Sequence, residues 1–91
     1  MSNILVCDDE KDIVVALKIY LSSDGHTVFE AYNGRQAIDI IHKNSIDLAL
    51  LDVMMPVMDG ITAVAEIRKF SNLPIILLTA KSEDTDKILG L

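Results

Sequence analysis

Apolar residues in this chain fall into short solid blocks separated by stretches with helical spacing. Ile4-Leu5-Val6-Cys7, Thr27-Val28-Phe29-Glu30-Ala31, Leu48-Ala49-Leu50-Leu51 and Ile75-Ile76-Leu77-Leu78 are too short for helices and too apolar for surface loops, so they predict strands. The first, third and fourth are apolar on successive residues, the pattern of a strand covered on both faces. Between the blocks, apolar positions recur every three or four residues. Ile13, Val14, Leu17, Tyr20 and Leu21 predict a helix over 10–23, and Ala37, Ile38 and Ile41 one over 35–43. Ile61, Val64 and Ile67 predict a third over 61–70, and Ile88 and Leu91 a last over 81–91. Gly25, Asn33-Gly34, Asp59-Gly60 and Asn72-Leu73-Pro74 punctuate the series. Strands alternating with helices imply a parallel α/β sheet with right-handed crossovers and helices on both faces.

In such a sheet every strand ends along one edge, and that edge is where ligands bind. Asp8 and Asp9 follow the first strand, Asp52 ends the third and Thr79 ends the fourth. If those strands are neighbours, the groups converge in one shallow pocket. Packed carboxylates repel one another unless a cation is present. Their hard oxygens suit Mg2+, with Mn2+ as an alternative. Taken singly, Asp8-Asp9 could cap a helix and Asp52 could serve a turn. Their joint placement at strand ends, with a hydroxyl on a fourth, argues for a site. The arrangement suits phosphoryl transfer onto a carboxylate, with Asp52 as nucleophile, Asp9 and Asp52 holding Mg2+, and the Thr79 hydroxyl on a phosphoryl oxygen.

Composition narrows the picture. Ninety-one residues make one domain, and 51% of them are apolar while only 4% are aromatic, so the core must be aliphatic. Fourteen acids against eight Lys and Arg leave a formal charge of -6, which argues against this domain gripping a phosphate backbone. Cys7 is the single cysteine, which excludes an internal disulfide and a thiolate metal centre and fits a reducing compartment. No basic leader with a long apolar run precedes the first strand, so a cytoplasmic location away from membranes is expected.

Three pieces carry a resemblance: Asp8-Asp9, Asp52 with Met55-Pro56 and Met58-Asp59-Gly60, and Pro74-Ile75-Ile76-Leu77-Leu78-Thr79-Ala80-Lys81. Together they resemble the receiver domain of bacterial two-component response regulators. The Met-Pro-x-Met-Asp-Gly and Leu-Thr-Ala-Lys pieces are similar to the subfamily that carries a winged-helix DNA-binding effector. The resemblance implies a flavodoxin-like, doubly wound (βα)5 fold and phosphorylation of Asp52 by a sensor histidine kinase. It implies Mg2+ held by Asp9, Asp52 and the backbone carbonyl of Met54, with Asp8 acting through water. It makes Thr79 the switch hydroxyl. Such a domain is not a turnover enzyme but a phosphoacceptor that assists its own phosphorylation and dephosphorylation, and DNA is reached only through the effector.

One departure is large. The family's fifth strand, with its lysine and aromatic switch residue, should lie beyond Leu91, and Lys81 and Lys87 are not substitutes. The chain is therefore expected to be a receiver incomplete at its C-terminus. The fourth strand would then be an edge, and one face of the sheet would be covered by the 10–23 helix alone. Self-association as a homodimer or a segment-swapped oligomer is expected.

A non-phosphorylated interaction module on the same fold is the alternative. A phosphohydrolase would need a general acid two residues past the nucleophile, where Met54 stands. His26 and His42 are expected to be solvent-exposed bystanders, Cys7 a small buried apolar group, and Met54, Met55 and Met58 packing groups. Met54 has the added family role of gating water. Pro56 and Gly60 are expected to serve a turn.

Overall fold

The computed structural model describes residues 1–78 and the strand at 88–90. Four strands and three helices alternate: β1 (Asn3–Cys7), α1 (Lys11–Ser23), β2 (Thr27–Ala31), α2 (Gly34–Lys43), β3 (Leu48–Asp52), α3 (Gly60–Ile67) and β4 (Ile75–Leu78). A short β5 (Ile88–Gly90) follows. The sheet order is β2-β1-β3-β4-β5. The first four strands pair in parallel, as the alternation of blocks and helical stretches predicts.

The two-sided apolar strands are divided between two layers. Leu5, Cys7, Ala49, Leu51, Ile75 and Leu77 point to one face, where Ala37, Ile38 and Ile41 of α2 and Ala63 and Ile67 of α3 close over them. Each Leu or Ile fully buried there contributes about 1.5–3 kcal/mol. Ile4 and Val6 point to the other face and meet Val14 of α1, with Leu17, Leu21, Leu48 and Leu50 packed partly around them. Ile76 and Leu78 are only half-buried. Among the described residues, the face served by α1 is thus less completely covered than the face served by α2 and α3.

Local chemistry sets the element ends. Gly25, at φ +89°, follows α1. There the amide of Gly25 donates to the Ser22 carbonyl at 3.0 Å and that of His26 to Leu21 at 3.2 Å, the paired bonds of a Schellman stop. Asn33 caps α2, its Oδ1 accepting from the Gln36 amide at 2.9 Å, while Gln36 Oε1 accepts from the Tyr32 amide at 2.8 Å. Asp59 caps α3 in the same way, through the Thr62 amide at 2.7 Å.

Two expectations are corrected. The stretch 81–91 was expected to be helical, yet its described part, 88–90, is a strand antiparallel to β4, with Leu78 opposite Ile88. β4 is accordingly not the edge of this sheet. An open row of amides and carbonyls on an uncharged strand is a template for any nearby segment, and that pairing outweighs a weak helical period of two apolar residues. The remainder of the predicted helix, with Lys81 and Lys87, lies outside the described residues, as does Thr79 at the expected end of the fourth strand. Among the described residues, no helix is long and apolar enough to cross a membrane.

Candidate functional site

Strand register brings the acids together. Cys7 pairs with Leu51 across β1 and β3, so the next residue on each chain, Asp8 and Asp52, emerges side by side at the strand ends. Asp8, Asp9 and Asp52 offer carboxylate oxygens that all lie within 4.8 Å of one another. Asp8 and Asp52 are almost fully buried, at 3% and 1% exposure, whereas Asp9 faces solvent. A cluster of three hard, negatively charged oxygen donors at a strand-end crevice, part buried and part open, fits a divalent cation that keeps water on its open side.

Each acid is held by its local turn. Asp8 Oδ1 accepts from the Glu10 amide at 2.9 Å, and the Asp8 amide donates to the Ala31 carbonyl of β2 at 3.2 Å. That bond is a local turn onto Glu10, the residue that precedes α1, rather than a cap on the helix's own amides, and it leaves Asp8 in the cluster. Asp52 Oδ1 accepts from the Met54 amide at 3.3 Å. The Val53 amide donates to the Leu78 carbonyl at 3.0 Å, carrying the β3–β4 ladder one residue past Asp52. The negative potential of the cluster registers on Cys7. Its thiol is pushed from the ordinary 9.0 up to about 12, by burial first and then by the charges of Asp8, Asp52 and Asp9. Cys7 therefore stays a thiol and is not a nucleophile at neutral pH.

Of the sequence-predicted residues, Asp8, Asp9 and Asp52 converge, and Met54 stands in the loop directly after Asp52. Thr79 lies outside the described residues. Met54 is 64% exposed, unlike Met55 and Met58, which lie against the core. His26 is half-buried rather than solvent-exposed, its Nδ1 accepting from the Ser2 amide at 3.1 Å. His42 is exposed but stacks on Phe70, ring centroids 3.9 Å apart.

Close approach explains Gly60 better than turn chemistry does. A Cβ there would collide with the Asp52 carbonyl oxygen and come within 3.0 Å of Val53 Cα, while the Gly60 amide donates to the Val53 carbonyl at 2.9 Å. Gly34 is confined similarly, against Met58. The sequence reads both glycines as turn formers, because a close backbone approach leaves no periodic signal.

Comparison with known proteins places this geometry. The response regulator receiver domain family matches residues 4–91. The chain is 43% identical over 88 residues to the response regulator GtcR of Aneurinibacillus migulanus, covering 97% of itself but 36% of GtcR. Among solved structures, the response regulator protein TrrA of Thermotoga maritima in complex with Mg2+-BeF is 41% identical, with a TM-score of 0.83 over 88% of this chain and 70% of TrrA. The complex of the histidine kinase ThkA with TrrA matches with a TM-score of 0.83 and 39% identity, over 96% of this chain and 76% of the matched one. With its strand order, its strand-end acids and a family match running almost from end to end, this chain belongs to the response regulator receiver domains of two-component systems.

Proposed function

We propose that Asp52 accepts a phosphoryl group from the phosphohistidine of a sensor histidine kinase. The observation that carries this reading is the meeting of Asp8, Asp9 and Asp52 within 4.8 Å at the end of the central strand. A carboxylate oxygen of Asp52 attacks phosphorus, the P–N bond breaks, and its electron pair returns to the imidazole nitrogen, which takes up a proton. Asp9, Asp52 and the Met54 carbonyl would hold Mg2+, with Asp8 reaching it through water; Mn2+ could take the same donors. When bound, the ion neutralises charge on the transferring oxygens. Asp52, itself almost fully buried, supplies the nucleophile, and Thr79 would offer a hydroxyl to the transferred group. The ThkA–TrrA complex supports the kinase as partner, and the Mg2+-BeF complex of TrrA supports the metal.

The domain acts as a phosphoacceptor in the cytoplasm rather than as a turnover enzyme. Its output is transcription control through a DNA-binding effector of the winged-helix type joined to it, as the Met55-Pro56-Val57-Met58-Asp59-Gly60 and Leu78-Thr79-Ala80-Lys81 pieces suggest. The half-covered α1 face of the sheet favours self-association. Incubation with acetyl phosphate and Mg2+, followed by borohydride reduction and peptide mass spectrometry, tests the chemistry. Homoserine at position 52, absent when the metal is chelated, is the expected result; modification elsewhere, or none, rejects the assignment.

A further inference from the structure

Residues 53–59 join Asp52 to α3, and this loop is gripped from two sides. At its own foot, the Gly60 amide holds the Val53 carbonyl at 2.9 Å. The second grip comes from a different element. The Gly34 amide, at the start of α2, donates to the Met58 carbonyl at 3.2 Å. A Cβ on Gly34 would stand 2.7 Å from that carbonyl oxygen and 2.9 Å from both Cβ and Cγ of Met58. The obstruction includes backbone, so it cannot be relieved by swinging a side-chain tip aside. One residue earlier, the Asn33 carbonyl accepts from Cys7 Sγ at 3.3 Å, and the same thiol lies 3.4 Å from Met55 Sδ. The amino end of α2 is therefore wedged between the last residue of β1, which carries Asp8 and Asp9 onward, and the loop that carries Met54.

We propose that Gly34 is a positioning residue for the acidic site, setting the loop donors after Asp52 at the correct distance from the donors at the end of β1. This rests on the proposed reading in which Asp9, Asp52 and the Met54 carbonyl of the loop hold Mg2+. Mg2+ demands near-ideal octahedral geometry at about 2.0–2.1 Å, so a loop shifted by a few tenths of an ångström loses affinity. Outer-shell partners of metal ligands are typically worth about 10–100-fold in metal affinity. Ca2+, with longer and more adaptable coordination, tolerates the same shift better. A glycine needed only for folding would make no such distinction between the two ions.

The test is calorimetric titration of the protein with Mg2+ and with Ca2+, for wild type, Gly34→Ala, Asp9→Asn and Asp39→Ala, the last on the exposed side of α2. Gly34→Ala is expected to melt cooperatively and to bind Mg2+ about tenfold more weakly or worse, with a smaller loss for Ca2+. Asp39→Ala is expected to match wild type. A folded Gly34→Ala protein with wild-type Mg2+ affinity, or with equal losses for both ions, overturns the proposal. Should Gly34→Ala not fold, hydrogen exchange on wild type decides. The Gly34 amide should exchange more slowly when Mg2+ saturates the protein, and an unchanged rate alongside slowed loop amides overturns the coupling. Failure of the underlying reading looks different: wild type itself would not bind Mg2+, or Asp9→Asn would bind as well as wild type.

Discussion

Val57 carries φ +68°, a region that β-branched side chains enter only under constraint. It is the middle of a three-residue turn closed by the Met58 amide on the Pro56 carbonyl at 2.7 Å, and its side chain is 82% exposed, so no packing offsets the strain. Left-handed backbone costs an L residue about 1–2 kcal/mol, and glycine loses about 0.5–1 kcal/mol of that advantage to its greater freedom when unfolded. Val57→Gly should therefore raise stability by up to about 1 kcal/mol, seen as a higher urea midpoint; a lower midpoint would show that the turn is not strained. Pro56 and Asp59-Gly60 make the turn legible in the sequence. Which residue takes the unfavourable φ is not legible, because the two grips on the loop decide it. Met54 teaches the same lesson about side chains. Methionine in an apolar neighbourhood reads as packing, yet this one is largely exposed beside the acids, and its thioether is only a weak acceptor for orienting water. Met54→Asn should shorten the lifetime of the phosphorylated protein severalfold, followed as decay of the labelled form; an equal or longer lifetime contradicts the role given to Met54.

At the scale of elements, the start of α3 depends on a cap whose charge can be titrated. The Thr62 amide and then the Thr62 side chain, with a further bond from the Ile61 amide, hold the Asp59 carboxyl below its ordinary 3.8. The lowered value means that the folded state keeps the charge to lower pH than the unfolded state does. The stabilisation is complete above 3.8 and is lost as pH falls through the folded value. Asp59→Ala should lower the melting temperature at neutral pH, whereas Asp59→Asn, which keeps an oxygen acceptor, should lower it less. The gap between wild type and Asp59→Asn should close in acid, and a gap that widens there would reverse the sign. The seven elements from β1 to β4 were legible because burial on one or two faces imposes a period that local chemistry does not disturb. Residues 88–90 were misread because two apolar positions cannot distinguish a helix from a strand, and the partner that decides, β4, is remote in pattern though near in sequence.

Across the whole molecule, the order β2-β1-β3-β4 sets β1 beside β3, and that adjacency turns separate acids into one site. Strand ends and their carboxylates could be read from the chain; that Asp8 and Asp52 stand level depends on the Cys7–Leu51 register, which only the packed sheet reveals. Among the described residues the sheet is asymmetric in its cover, with α2 and α3 over one face and α1 over the other, where Leu48, Leu50, Ile76 and Leu78 stay half-buried. If the proposed self-association occurs through this face, light scattering over a concentration series should give a mass that rises toward a dimer or beyond. A constant monomer mass with no binding of a hydrophobic dye would count against it. The central claim remains that Asp52 is the phosphoacceptor. A phosphate-affinity gel of wild type and Asp52→Ala after acetyl phosphate and Mg2+ tests it most directly. A retarded band in wild type that is absent from Asp52→Ala is the predicted result, and an undiminished retarded band in Asp52→Ala would contradict it.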